Sequence, residues 1–173
     1  VSADPASLDP QQNFAPAVPF YETVLGRLVG FKPGVMGPSQ EDAVDGDACS
    51  SWEISPDKLT ITLKLRPGVK WHPVAPINGR ELDMDDILFT WKRFSTIGNQ
   101  RGGLANSANP DAPILSLTAA DKSTVVVKLK EPVVYLLQLL ASYGSFTGNV
   151  VIIPKETESG FDIRRDEMLA VGA

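Results

Sequence analysis

Residues 59–66 alternate strictly between apolar and polar side chains, and no other feature of the chain constrains its fold as strongly. Leucine or isoleucine occupies every odd position, and threonine, lysine or arginine occupies every even one. Successive side chains of a β-strand point to opposite faces of a sheet, so this period of two predicts a strand with one buried and one solvated face. The chain is therefore expected to contain a sheet that is buried on one side.

Three further segments are predicted to supply strands. Residues 52–54 precede a turn of proline, aspartate and lysine, and should form a hairpin with residues 59–66. Residues 123–130 alternate in the same way, with valine or leucine on one face. Residues 150–154 are a continuous apolar run that ends at a proline, which predicts a short buried strand.

The clearest helix signal begins at Asp83. Asp83 stands where an N-cap is expected, and Asp86 follows three residues later with the spacing of a capping box. Lys92 and Arg93 are predicted to lie in the last turn, where the helix dipole favours cations. The apolar positions fall on one face of this helix: Met84, Ile87, Leu88, Trp91 and Phe94.

Two shorter helices and a long loop complete the pattern. Helical spacing of apolar residues predicts helices over residues 20–29 and 133–141. Residues 97–113 are rich in glycine, asparagine and alanine, and loops of this length are uncommon unless they carry function or mobility. The order of helices and strands predicts an α+β fold.

Composition excludes several classes of function. The net charge is −5 and the 16 lysines and arginines are scattered, so the basic face that a nucleic-acid partner requires is missing. The longest apolar stretch is well short of the roughly 20 residues that cross a bilayer. With one cysteine and one histidine, the chain holds neither an internal disulfide nor a site with several histidine ligands. No metal or cofactor is expected.

Several polar residues have both a chemical and a structural interpretation. Asp83, Asp85 and Asp86 could form a carboxylate cluster for metal or acid–base chemistry, but helix capping explains them without it. Cys49 would need His72 as its base for nucleophilic chemistry, and nothing in their spacing favours that geometry, so an inert buried thiol is expected. Core packing rather than the wall of a sugar or peptide cleft is predicted for the three tryptophans: Trp52, Trp71 and Trp91.

Four groups of residues, in this order, resemble the peptide- and nickel-binding periplasmic proteins, which are family 5 of the extracytoplasmic solute-binding proteins of ABC transporters. The groups are SLDP at 7–10 with YETVL at 21–25, SWEISPD at 51–57 with LTITLKLRPGVKWH at 59–72, LDMDDI at 82–87 with WKRF at 91–94, and LKEPVVYLL at 129–137 with IPK at 153–155. Each group alone is weak, whereas the four together cover most of the chain. The string that ends in Lys-Trp-His is the most specific.

The chain departs from the family pattern at two places. The family usually places Asp-Gly directly after its Lys-aromatic-His, whereas here residues 73–77 come before Asn78-Gly79, which predicts a longer hairpin loop. The family also continues through a glycine-rich segment into a second lobe. Because residue 173 comes before that segment, the chain is expected to be a truncated piece of a longer protein.

The resemblance implies the N-terminal part of a two-lobed periplasmic binding protein fold, type II and cluster C-like, with an inserted small mixed α/β domain. Residues 1–36 are expected to begin the large lobe, residues 37–148 to form the inserted domain, and residues 149–173 to return to the large lobe. Such proteins capture a solute without catalysis, by closing two lobes about a hinge. The resemblance implies a monomer that delivers its solute to ABC permease subunits, in the periplasm or another extracytoplasmic compartment, with a lipid anchor at a missing N-terminus as an open question.

The resemblance also indicates where a ligand would lie. Relatives place part of their cleft after the Leu-Asp-Pro motif, which implies Asn13, Phe14 and Ala15 as ligand contacts, although a plain surface loop is an equal alternative. The loop at 98–109 is a second candidate, with Gln100 and Arg101 able to approach a polar ligand. Peptide is the first expectation for the solute; nickel chelates, oligosaccharides and a sensing role with the same fold remain open, and a hydrolase is disfavoured because no base, nucleophile and orienting group assemble.

Overall fold

A computed structural model describes residues 9–12, 25–32, 44–142 and 150–159. Six strands and two α-helices follow one another in the order β1 (Val29–Phe31), β2 (Val44–Gly46), β3 (Cys49–Ile54), β4 (Thr60–Leu65), α1 (Met84–Ile97), β5 (Ile114–Asp121), β6 (Thr124–Leu129) and α2 (Leu136–Ala141). Short 3₁₀ helices cover Arg101–Gly103 and Lys155–Glu158. In the described part of the chain, no helix is long and apolar enough to span a bilayer.

The main sheet is antiparallel and has the strand order β3-β4-β6-β5. The predicted hairpin of β3 and β4 and the predicted strand β6 are confirmed. β4 lies between β3 and β6, and Leu63 is opposite Val125 on the buried face. The fourth strand is β5, which was not predicted; it pairs with β6 through a tight turn. β1 and β2 form a separate antiparallel pair.

The segment between β4 and α1 forms a long hairpin loop, as predicted. Lys70 and Glu81 form an antiparallel bridge at its base. Asn78 and Gly79 both have positive φ, at 54° and 71°, which is the backbone conformation that an Asn-Gly turn supplies. The indole of Trp71, which is 2% exposed, fills the core beneath this loop.

One cluster of buried apolar residues joins the sheet, both helices and the segments outside them. It includes residues from each of the three predicted parts of the chain, for example Val29, Leu63 and Ile152. α1 packs on β5, and α2 packs on β1 and β2. The division into domains at residues 36 and 148 stays a prediction.

Two predicted elements are wrong in the described residues. Within the helix predicted over 20–29, residues 25–28 are not helical and Val29 opens β1, because its partners in β2 offer a strand ladder. Residues 150–154 are buried but are not a strand. Ile152 donates its amide to the carbonyl of Gly26, at 2.8 Å, without forming a ladder.

α1 begins where the pattern places it and ends later. Asp83 accepts from the amide of Asp86 at 3.2 Å, and Asp86 accepts from the amide of Asp83 at 3.0 Å, so the capping box is confirmed. The helix continues to Ile97, and no basic residue lies in its last turn. The predicted terminal position of Lys92 and Arg93 is therefore wrong. α2 also begins later than predicted, at Leu136.

Candidate ligand-binding site

Two segments that are far apart in the chain meet beside the end of α1. The amide of Asn99 donates to the carbonyl of Gln11 at 2.8 Å, and the Asn99 side chain donates to the carbonyl of Gln12. These contacts join the N-terminal segment at 9–12 to the loop that begins at Gly98. Residues 11–12, which directly precede the first predicted ligand segment, therefore contact the start of the second.

A buried ion pair holds the N-terminal segment in place. The guanidinium of Arg93 donates to both carboxylate oxygens of Asp9, at 2.6 and 3.1 Å, and to the side-chain oxygen of Gln11 at 2.9 Å. The side chains of Arg93 and Asp9 are 7% and 1% exposed. Asp9 also accepts from the amide of Gln11 at 3.0 Å. Because burial removes water from both charges, this geometry must satisfy them within the protein.

Thr90, which precedes Arg93 by one turn, extends the same connection. The Gln11 side chain donates to the carbonyl of Thr90 at 3.1 Å. The Thr90 hydroxyl donates to the carbonyl of Ile153 at 3.3 Å and accepts from its amide at 3.0 Å. One face of α1 therefore holds both the N-terminal segment and the segment at 150–154.

The predicted ligand residues are placed only in part. Asn13, Phe14 and Ala15 lie outside the described residues. Gln100 and Arg101 are half-buried, directly after Asn99, and Arg101 donates to the carbonyl of Gly98 at 3.0 Å. The role of all five in ligand binding stays a prediction.

A shallow cavity of about 270 Å³ opens on the outer side of α1 near this junction. It is lined by Phe89, Lys92, Arg93, Thr96 and Ile97. Lys92 and Thr96 are exposed there. The cavity places a cation and apolar surface next to the loop that carries Gln100 and Arg101.

A second ionic cluster lies at the start of α1. Arg80 donates to both oxygens of Asp86, at 2.6 and 2.7 Å, and to both oxygens of Glu156, at 2.6 and 2.8 Å. The indole of Trp71 and the amide of Lys155 also donate to Asp86, at 3.1 and 3.0 Å. The cluster therefore joins the hairpin loop, α1 and the 3₁₀ helix Lys155–Glu158.

This cluster shifts the pKa of each member. Burial alone would raise the pKa of Asp86, but the hydrogen bonds from Arg80 and the other donors hold it below its usual range. The hydrogen bonds from Arg80 likewise lower the pKa of Glu156, and those two carboxylates raise the pKa of Arg80. Asp83 and Asp86 thus cap the helix, as the structural interpretation predicted, and they also form ion pairs, which it did not predict.

The remaining chemical candidates behave as structural residues. Burial, with the nearby charge of Asp47, raises the pKa of the Cys49 thiol to about 12, which makes it a poor nucleophile. His72 lies exposed in the hairpin loop. Among the described residues, no three histidine, cysteine or acidic side chains group as metal ligands would.

A second open groove was not predicted. It has a volume of about 440 Å³ and lies where the β3–β4 hairpin meets the start of α2. Trp52 and Ile54 line one wall, and Val133, Val134 and Leu137 line the other. Trp52 and Trp91 are partly buried against the core, so the packing prediction for the tryptophans is met fully only by Trp71.

Sequence reasoning missed the pairing of Asp9 with Arg93. Both residues lie in segments that carry the family resemblance, but their contact spans 84 positions. A carboxylate and a guanidinium in separate motifs signal a pair only when the fold is known. The sequence pattern assigned Arg93 to the last turn of the helix as a partner of its dipole instead.

The described fold is that of a solute-binding protein. The family model of bacterial extracellular solute-binding proteins, family 5 Middle, matches residues 43–171, which is most of the chain. The chain belongs to this family. A Brucella ovis protein named as an ABC transporter peptide-binding protein is 37% identical over 110 residues, which make up 64% of this chain and 19% of that protein. The chain thus spans about a fifth of the length of this relative.

Solved structures agree with the family. The ABC transporter-associated periplasmic binding protein DppA of Helicobacter pylori, in complex with the peptide STSA, is 25% identical with a TM-score of 0.69, over 90% of this chain and 30% of that one. MoaA of A. tumefaciens R10, in complex with mannopinic acid, is 29% identical with a TM-score of 0.69, over 94% of this chain and 31% of that one. The fold is therefore the N-terminal portion of a type II periplasmic binding protein.

Proposed function

We propose that the natural full-length protein is the extracytoplasmic solute-binding component of an ABC importer, and that its solute is a peptide. The observation that carries this proposal is the family match over residues 43–171. Relatives named for peptides support the choice of solute. The protein captures its solute by lobe closure and passes it to membrane permease subunits; it needs no catalysis and no cofactor.

The junction at the end of α1 is where this chain contributes to the site. We place Asn13, Phe14 and Ala15 along the ligand, with Gln100 and Arg101 across from them. The contacts of Asn99 with Gln11 and Gln12 support this arrangement, because they bring the two segments to one place. An extended peptide offers main-chain donors and acceptors that polar side chains at such a junction can bind.

Thermal unfolding tests the proposal. The natural full-length protein is heated with and without a pool of di- to hexapeptides. A ligand that binds only the native state raises the free energy of unfolding by RT ln(1 + [L]/Kd), which is about 2.7 kcal/mol at a hundredfold excess over Kd. A higher midpoint with the pool is expected. If millimolar peptide leaves the midpoint of unfolding unchanged, the choice of a peptide as the solute is wrong.

A sugar-derived solute is the second candidate. It is favoured by the match to MoaA, whose structure holds mannopinic acid and whose identity to this chain is higher than that of DppA. The same experiment with mannopinic acid separates the two. A shift with mannopinic acid and none with the peptide pool would replace the peptide by an opine-like solute and leave the capture role intact.

A further inference from the structure

The N-terminal segment at 9–12 is held by α1 and its following loop, not by a strand ladder. The side chain of Arg93 donates to the carboxylate of Asp9 and to the side-chain oxygen of Gln11, and the Gln11 side chain donates to the main-chain carbonyl of Thr90. Asn99 binds the segment twice, through its amide to the carbonyl of Gln11 and through its side chain to the carbonyl of Gln12. The position of this segment therefore depends on Arg93 and Thr90 of α1 and on Asn99 in the loop that follows it.

Arg93 is the centre of this arrangement. It contacts both Asp9 and Gln11 and is 7% exposed. Its guanidinium presents several donors in a rigid plane, so it fixes the distance and the angle between the two residues that it holds. Gln12 follows directly, and Asn99 bonds it across the junction. Arg93 thus determines how residues 11–12 lie against the loop that begins at Gly98.

We propose that Arg93 is a positioning residue of the ligand site: by clamping Asp9 and Gln11 it fixes the main chain at Gln11 and Gln12 against the loop that carries Gln100 and Arg101. This inference rests on the proposed function. Without the clamp, the two sides of the site occupy the binding-competent arrangement for only part of the time. The apparent Kd then rises by the inverse of that fraction.

Arg80 provides a matched control. It also lies within an ionic cluster on α1, also makes bidentate contacts with carboxylates, and also joins distant segments, but at the opposite end of the helix. Arg93→Lys and Arg80→Lys each keep the charge and lose the fork geometry. A merely structural role for Arg93 predicts that both substitutions act on binding alike.

The test compares these variants in the natural full-length protein, with the di- to hexapeptide pool as the probe. Both variants are expected to lower the midpoint of thermal unfolding. Arg93→Lys is expected to raise the half-saturating pool concentration about tenfold, which corresponds to a competent fraction of about a tenth. Arg80→Lys is expected to leave it within about twofold, because its cluster lies away from the junction.

Asn99→Ala gives a second measurement that does not depend on a buried residue. Asn99 is exposed, and its backbone bond to Gln11 survives the substitution. A rise of about threefold in half-saturating concentration is expected from the lost contact with Gln12. In the double variant with Arg93→Lys, Asn99→Ala should add little, because two residues that act on one segment are coupled.

The outcomes separate the inference from the function on which it rests. If the unaltered protein does not bind the peptide pool, the proposed peptide function is overturned, and this inference with it. If the unaltered protein binds the pool and Arg93→Lys and Arg80→Lys weaken that binding equally, the inference alone is overturned. Fully additive effects of Arg93→Lys and Asn99→Ala on binding also overturn the inference alone.

Discussion

The two ends of α1 hold their arginines in different surroundings. Arg80 keeps 24% of its side chain exposed and shares its charge among Asp86, Glu156 and the more distant Asp83. Arg93 is 7% exposed and contacts the carboxylate of Asp9, which is 1% exposed. Both arginines bind a carboxylate through two nitrogens at similar distances. The pairs thus resemble each other in geometry and in the burial of the carboxylate, since Asp86 is 0% exposed, and they differ in the exposure of the arginine.

This difference teaches that contact geometry alone does not decide what an ion pair contributes. A buried charge that loses its partner stays desolvated, so the loss of one partner costs far more than the pair itself contributes. A charge near the surface regains water when its partner is removed. Arg80 is the partly exposed member of its pair, and Asp86, although buried, has three further hydrogen-bond donors: the indole of Trp71 and the amides of Asp83 and Lys155. The start of α1 is therefore expected to tolerate the loss of its arginine better than the junction near its end tolerates the loss of Asp9.

The largest expected effect is that of Asp9→Ala, which removes from the buried guanidinium of Arg93 the carboxylate that it contacts through two nitrogens. The free energy of unfolding should fall by about 4 kcal/mol. Urea unfolding followed by tryptophan fluorescence measures it. Asp111→Ala is the control, since that carboxylate is 93% exposed and lies 3.8 Å from Lys130; a change of at most about 0.5 kcal/mol is expected there. Equal effects of the two substitutions would contradict the role of burial.

Arg80→Gln should cost less, about 2 kcal/mol. Asp86 loses its two charged hydrogen bonds but keeps those from Trp71 and from the amides of Asp83 and Lys155. The same urea experiment applies. A loss larger than that of Asp9→Ala would reverse the comparison and make the start of α1 the more dependent end.

Thr90→Val should cost about 1.5 kcal/mol. The substitution keeps the shape of the side chain and leaves the amide and carbonyl of Ile153 without their buried partner. Thr96→Val on the exposed side of α1 is the matched control, because the Thr96 hydroxyl bonds only within the helix, to the carbonyl of Lys92. The prediction fails if both substitutions lower the urea midpoint equally.

The smallest effect is a pH dependence that belongs to the Arg80 cluster. The pKa values of Asp86 and Glu156 are lower in the folded protein than their ordinary values of 3.8 and 4.5. The unfolded chain therefore binds protons first as the pH falls. The stabilisation that the cluster adds to the free energy of unfolding is therefore complete above about pH 5. It is lost as the pH falls through the pKa values of the folded protein.

The comparison of unaltered protein with Arg80→Gln at several pH values checks this. Their difference in free energy of unfolding should narrow by about 1 kcal/mol between pH 7 and pH 3. A constant difference over that range would show that the ion pairs of Arg80 do not titrate with unfolding. Arg93→Lys serves as the comparison from the other end of the helix.

Local patterns predicted the parts of the fold that depend on neighbouring residues. The alternation around Leu63 placed β4, and the capping box at Asp83 placed the start of α1. β5 was missed because Ile114 and Leu117 are its only buried large apolar residues and the strand alternates weakly. Val150 to Ile153 carry a strand-like composition, but whether such a run forms a ladder depends on which backbone lies beside it.

The site was less accessible to sequence reasoning than the fold. The motifs that carry the resemblance contain Asp9 and Arg93, but no motif indicates that the two residues are in contact. The helix pattern suggested only that Arg93 matches the helix dipole in the last turn, because its partner Asp9 lies in another part of the sequence. An ion pair between distant segments leaves no periodic pattern in the sequence. Gln100 and Arg101 could therefore be proposed from the resemblance, whereas the contact of Arg93 with Asp9 could not.

The long sequence spans of the α1 contacts have a consequence for the order of folding. The contacts of Arg93 with Asp9, of Arg80 with Glu156 and of Thr90 with Ile153 close loops of 84, 76 and 63 residues. Closing such loops costs chain entropy before any contact repays it, whereas the β3–β4 hairpin closes over a few residues. During synthesis the sheet can therefore assemble while both arginines are still solvated, and α1 acquires its last polar partners only after Glu156 has left the ribosome.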